Sequence, residues 1–312
     1  MEGGLSAQSS DNVAVALCKA SGTSTAENGH GLQHACVASA LHRNTAKAME
    51  KLGISDRIYA WDVLLVMMRS QVEERFSDTG LPVFFTEDKR AALVDWIIEI
   101  HYALDFEEET LYLTIDILKR SLSLIKVTRN NLQLLAVVCL FVAAKKEESH
   151  IPTVSSLCAL LNNAYTKKQL LRMEQNILLG LKFRLSLCSP PEFLCVLGTE
   201  LIMAKYLSEL LLLDAQCDHC LSLDVAAAAL RLAHIVLQEP STAEKEAAWS
   251  LASIFQFGRD TVIKDIMLVL ANAAAKAHLR GTSASFIKYS SPIMMSVSRH
   301  QRLSQAPSLL KE

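Results

Sequence analysis

"LQLLAVVCLFVAAKKEE", Leu132 to Glu148, carries an apolar run from Leu134 through Ala144 that stops on two lysines and then two glutamates. A helix of this composition is apolar nearly all round, so it belongs inside a bundle and not on a surface. The pattern predicts a helix over 128–146. Lysine suits a helix C-terminus, where the partial negative charge of the macrodipole favours cations. Glu147 and Glu148 stand at the wrong pole. Something outside the helix has to account for them.

Outward from this run the pattern stays helical. "YAWDVLLVMMRSQVEERF" begins at Tyr59, and Gly80 and Pro82 break it. A helix follows from Asp88 to about Leu104, with Leu93, Trp96, Ile97, Ile100 and Leu104 on one face. The next opens on Glu107 to Glu109, acids that suit an N-terminal dipole. Beyond the central run, Pro152 is expected to start a short helix. "YTKKQLLRMEQNILLGLKF" makes another, in which Thr166 and Gln169 have capping-box spacing. Pro190 and Pro191 then mark a boundary. A second helical block follows: "EFLCVLGTELIMAKYLSELLLLDA", "SLDVAAAALRLAHIVLQ", "EKEAAWSLASIF" and "TVIKDIMLVLANAAAKAHL". Alanines 226–229 would let neighbouring helices approach closely. The expected division is a flexible leader over 1–54, an N-terminal helix and first helical domain over 55–187, a second over 188–280, and a tail over 281–312 that wraps back or stays mobile.

Composition agrees with an all-α protein, since 51% of the 312 residues are hydrophobic and glycine and proline are sparse. The formal charge of −2 gives no basic field for nucleic acid. No apolar run approaches the ~18 residues that suggest a membrane span. Several of the eight cysteines, such as Cys139 and Cys158, lie in apolar helical stretches, which fits a reducing, intracellular setting in nucleus or cytoplasm. Catalytic motifs are missing: there is no phosphate loop, no nucleophile elbow and no HExxH. "HGLQHAC" and "CDHC" bring His30, His34 and Cys36, and Cys217, His219 and Cys220, close in sequence. Each lacks a complete zinc ligand set, and the second reads as an interhelical connection. The expectation is no metal, no cofactor and no enzyme.

Laid out in order, "KRAALVDWIIEIH", "EETLYLTIDILKRSLS", "LQLLAVVCLFVAAKKEE" and "AYTKKQLLRMEQNILLGLKF" resemble successive parts of the first box of the cyclin family. Cyclins are the regulatory subunits of cyclin-dependent kinases. "AKYLSELLLLDA" with "LDVAAAALRLAHIVL" resembles the second box, and "IKYSSPIMMSVS" the tail of mitotic cyclins. The style is that of A- and B-type cyclins, and two stretches are similar to the cyclin P group. The resemblance implies two tandem five-helix cyclin boxes after an N-terminal helix and a leader.

It also implies a kinase-binding set: Tyr59, Val63, Lys145, Lys146, Glu147, Glu148, Glu174 and Phe183. By the resemblance, Lys145 and Glu174 lie side by side and grip main-chain groups around the kinase's regulatory helix. One is donor-only and the other acceptor-only, so together they can bond amides and carbonyls at once. A second surface, matched by Lys89, Ala92, Leu93, Trp96, Glu99, Arg129 and Gln133, docks Arg-x-Leu motifs of substrates or inhibitors. Lys89 and Ala92 replace larger apolar residues there, which implies a shallower pocket, a more positive rim and weak docking.

Two departures stand out. Lys146 occupies a normally apolar position, where a second ammonium must be paired or snorkel outward. Lys119 stands where the family has the aspartate that pairs with the residue matching Arg90. Facing cations repel, so that bridge is lost or rebuilt, with Asp116 the acid expected to rebuild it. Two other classes remain: a divergent cyclin-fold scaffold that binds a kinase or another partner without activating it, suggested by Lys146 and Lys119, and a nucleic-acid-binding relative, against which the near-neutral charge argues.

Overall fold

The computed structural model describes residues 66–71, 82, 84–196, 202–238 and 260–310. The leader, Tyr59, Val63 and the "EKEAAWSLASIF" stretch lie outside them. Among the described residues every regular element is a helix or a 3-10 turn.

The first bundle comprises α1 (Glu87–Ala103), α2 (Glu108–Leu124), α3 (Leu132–Glu147), α4 (Val154–Leu160) and α5 (Lys167–Gly180). Every residue of α3 from Leu134 to Ala144 is buried, because α1, α2 and α5 all pack against it. Its start is shorter than the apolar pattern suggests: Arg129–Asn131 form a 3-10 turn, and Thr128 before it is extended. Pro152 likewise does not begin α4. Thr153 is the N-cap, its side chain accepting from the Ser156 N–H, and the proline stands just before it. In α5 both halves of the Thr166–Gln169 capping box form.

The second bundle has α6 (Pro190–Val196), α7 (Ile202–Leu210), α8 (Ser222–Leu237) and α9 (Asp260–Arg280). The two prolines take the first positions of α6, where their missing N–H groups leave no intrahelical bond unmade. Of the stretch Glu192 to Ala215, the described residues give α6 and α7, followed by 3-10 turns at Leu211–Leu213 and Ala215–Cys217. α8 is the central helix here and contacts α6, α7 and α9. Ala226, Ala227, Ala228 and Ala229 are wholly buried in it, side chains small enough for neighbouring helices to close on.

The tail wraps back. α10 (Ala284–Tyr289) lies against α1 and α7. The Ala284 N–H donates to Asp95 Oδ1 at 2.8 Å, and Lys288 Nζ donates to Glu209 Oε2 at 2.6 Å, with both side chains buried. α11 (Ala306–Leu309) packs on α8 and α9. Each bundle has its own apolar core, and Leu212 of the second segment enters the core of the first. Tyr112 of α2 and Ser208 of α7 share a buried hydrogen bond of 3.1 Å across the junction.

Candidate functional site

The end of α3 and the buried side of α5, at its edge, carry the first candidate group. Leu170, Met173 and Ile177 bury the α5 stripe, which fixes the neighbouring Glu174 against α3. Lys145 sits in the last turn of α3. Its Nζ donates to Glu174 Oε1 at 2.6 Å and lies 4.2 Å from the centre of the Phe141 ring, one turn back. The Lys145 side chain is 40% exposed and that of Glu174 11%. An ammonium has three donors and a carboxylate several acceptor sites. The pair therefore keeps hydrogen-bonding capacity for an incoming main chain while holding its own geometry. Phe141 was not singled out from sequence; only its i−4 spacing from Lys145 hinted at it.

Phe183 lies just past α5. Lys182 and Phe183 both have left-handed backbone, φ 52° and 58°, conformations that cost L-residues roughly 1–2 kcal/mol each. The turn leaves the Phe183 ring 66% exposed. Lys146 is paired with the adjacent Glu147, and its side chain is 40% exposed, so it snorkels to water.

Glu148 has a different place. Its carboxylate accepts from the Glu107 N–H at 2.9 Å and from Thr110 Oγ1 at 2.5 Å. It therefore caps the N-terminus of α2. The residue at the wrong pole of α3 stands at the right pole of α2. Glu107 in turn receives His101: the Nε2–H donates to the Glu107 carbonyl oxygen at 2.7 Å. The ends of α1, α2 and α3 are tied together within one turn of the Lys145–Glu174 pair.

The second candidate group lies around α1. Leu93 is buried and Trp96 packs half-buried on the first core, while Ala92, Glu99, Arg129 and Gln133 are exposed. Lys89 Nζ donates to the Phe84 carbonyl oxygen at 3.1 Å, and the Arg129 guanidinium lies 6.0 Å from the centre of the Phe84 ring. Phe84, absent from the sequence reading, joins Lys89 and Arg129 into a positive rim.

Asp116 does not rebuild the bridge to Arg90. It pairs with Arg120 in its own helix; burial pushes its carboxyl up and Arg120 pulls it back. Asp218 of the second bundle takes the role. Arg90 Nη2 donates to Asp218 Oδ1 at 2.6 Å, Lys119 pairs with the same oxygen, and the Asp218 side chain is only 7% exposed. Both first-bundle cations are paired from across the junction, by a residue 128 positions away from Arg90. Local sequence pattern holds no signal for such a pair.

Among the described residues no group of three or more His, Cys, Asp or Glu side chains is arranged to hold a metal ion, and no helix is long and apolar enough to cross a membrane. The family model described as "Cyclin, N-terminal domain" matches residues 67–186, and that described as "Cyclin, C-terminal domain" matches residues 195–303. The chain belongs to the cyclin family. The two helical bundles are its cyclin boxes, each built round a central helix. Among curated cyclins, the G2/mitotic-specific cyclin-B2 of Oryzias luzonensis is 43% identical over 159 residues, 49% of this chain and 41% of that one. The G2/mitotic-specific cyclin-B of Patella vulgata is 35% identical over 220 residues, 68% of this chain and 52% of that one. The matched part thus spans about half the length of these relatives. Among solved structures, the X-ray structure of a viral cyclin from herpesvirus saimiri matches with a TM-score of 0.39 and 17% identity, over 80% of this chain and 95% of that chain.

Proposed function

We propose that this cyclin is the regulatory subunit of a cyclin-dependent serine/threonine kinase, acting inside the cell, in nucleus or cytoplasm, in cell-cycle control at the G2/M transition. The observation that carries the reading is the Lys145–Glu174 pair, hydrogen-bonded at 2.6 Å on the surface with Phe183 exposed beyond the same helix. The pair bonds main-chain groups around the kinase's regulatory helix, and Phe183, Tyr59 and Val63 supply apolar contact. Lys146 and Glu147 form the edge of this surface, and Glu148 supports it from within by capping α2. Binding favours the active placement of the regulatory helix and activation segment, which assembles the kinase's ATP–magnesium site. The cyclin itself catalyses nothing. The division into leader 1–54, first box 55–187, second box 188–280 and tail 281–312 belongs to this reading.

The positive rim of Lys89 and Arg129 supports weak docking of Arg-x-Leu segments, because it opposes the motif's basic residue. A second reading rests on Lys146: an ammonium at an otherwise apolar contact fits a scaffold that binds a kinase without activating it. Co-purification with a panel of cyclin-dependent kinases, each complex assayed on a generic protein substrate, separates the two. Binding with a rise in kinase activity is expected. Binding without that rise supports the scaffold, and failure to bind any kinase contradicts the regulatory-subunit reading.

A further inference from the structure

The junction between the boxes holds three thiols, Cys188, Cys217 and Cys220, that the proposed kinase surface does not use. The 3-10 turn Ala215–Cys217 leads through Asp218 and His219 to Cys220, whose N–H donates to the Cys217 carbonyl oxygen at 3.0 Å. A turn closed in this way brings its end Cα atoms within about 7 Å, close to the roughly 4.4–6.8 Å that a disulfide spans. The two side chains interact, Cys220 being the first cause that pushes the Cys217 thiol up. Both are half-buried, and both line a cavity of about 130 Å³ between the boxes, which admits a small solute. Asp218 stands between them in the chain, its carboxylate holding Arg90 and Lys119.

We propose that Cys217 and Cys220 form a reversible dithiol–disulfide site at the inter-box junction, oxidised by a hydroperoxide, and that its state acts on the Asp218 carboxylate beside it.

The Cys220 side chain, burial and the acids Asp214 and Asp218 push the Cys217 thiol far up. Cys217 therefore keeps its proton, which leaves Cys220 as the attacking group. Its thiolate attacks one oxygen of hydrogen peroxide and breaks the O–O bond; the departing hydroxide takes a proton and leaves as water. The product is a sulfenic acid at Cys220. The Cys217 sulfur then attacks that sulfur, the S–S bond forms, the S–O bond breaks, and a second water leaves with the Cys217 proton. Two thiols lose two electrons and two protons, and one peroxide becomes two waters. The closed ring contains Asp218, so oxidation constrains the backbone that aims its carboxylate.

The test uses the full chain. Treatment with limiting hydrogen peroxide, alkylation of the remaining thiols and peptide mass spectrometry should find the Cys217–Cys220 peptide lighter by two hydrogens, the other cysteines reduced, and the change reversed by dithiothreitol. In Cys217→Ser a 1,3-diketone probe should capture a sulfenic acid at Cys220; in Cys220→Ser it should capture none at Cys217. The melting temperature should shift on oxidation in the wild type, and shift less in Asp218→Asn/Lys119→Asp, which keeps a carboxylate opposite Arg90 while emptying position 218 of charge. The proposal is overturned if the pair stays reduced while Cys188 or another cysteine is oxidised, or if Cys188 bridges to either member. An equal temperature shift in wild type and double variant overturns the link to Asp218.

Discussion

His101 shows what one buried side chain imposes on this fold. It is 1% exposed, and its Nε2–H bond to the Glu107 carbonyl oxygen fixes a neutral tautomer. Burial pushes its pKa down to about 4 from an ordinary 6.5. Between those two values the unfolded chain takes up a proton that the folded chain refuses. Stability is therefore full above 6.5 and falls as pH drops toward 4, by at most about 1.4 kcal/mol per pH unit and about 3 kcal/mol in all. Urea midpoints compared at neutral pH and near pH 4.5 should show this loss, and His101→Gln should lose less across the same window. Buried carboxylates such as Glu209, whose pKa burial pushes up, act in the opposite sense in both proteins, so the difference isolates His101. Glu148 belongs to the same knot. Its position in sequence looked unfavourable because the helix it serves has its N-cap 41 residues earlier, at Glu107. Charge along one helix says nothing about which other helix ends against it.

Between elements, electrostatics does the joining where apolar packing alone gives no register. Periodicity located α1 and α5 because each buries a stripe, N-terminal acids marked α2, an all-round apolar run marked α3, and the α5 N-cap was legible because a capping box is local. The partner of Arg90 was not legible. The acid expected nearby, Asp116, was already held by Arg120 in its own helix, and the true partner sits in the "CDHC" stretch, which read only as an interhelical connection. Asp218→Asn should lower the melting temperature by more than a surface bridge would, since two largely buried cations lose one shared counter-charge. Adding Lys119→Asp places a carboxylate opposite Arg90 again and should recover much of the loss; no recovery would contradict the arrangement. The tail presents a stricter case. Lys288 and Glu209 are 4% and 1% exposed, so Lys288→Met strands a carboxylate and should cost roughly 3–5 kcal/mol, whereas Lys288→Met with Glu209→Leu should cost far less. Equal losses in the single and double variants would show that the pair is not held as described.

At the scale of the whole molecule, the central helix α3 was legible as a bundle interior because eleven consecutive positions, Leu134 to Ala144, admit no polar face, whereas α8 was marked only by its four adjacent alanines, Ala226 to Ala229. The way the bundles meet was not legible, because it rests on side chains such as Leu212, Tyr112 and Asp218 that carry no periodic signal. The tail's return across both boxes further ties them, through Asp95 and Glu209. On this frame the proposed function concentrates in one pair, Lys145 and Glu174, whose mutual bond leaves the surrounding core untouched when both are shortened. The direct test is the affinity of whichever cyclin-dependent kinase co-purifies, measured by calorimetry against wild type and against a correctly folded Lys145→Ala/Glu174→Ala. Loss of a desolvated charged contact of this kind predicts a weakening of roughly thirtyfold or more, about 2–5 kcal/mol. An unchanged affinity would contradict the assignment of this pair as the kinase-binding centre.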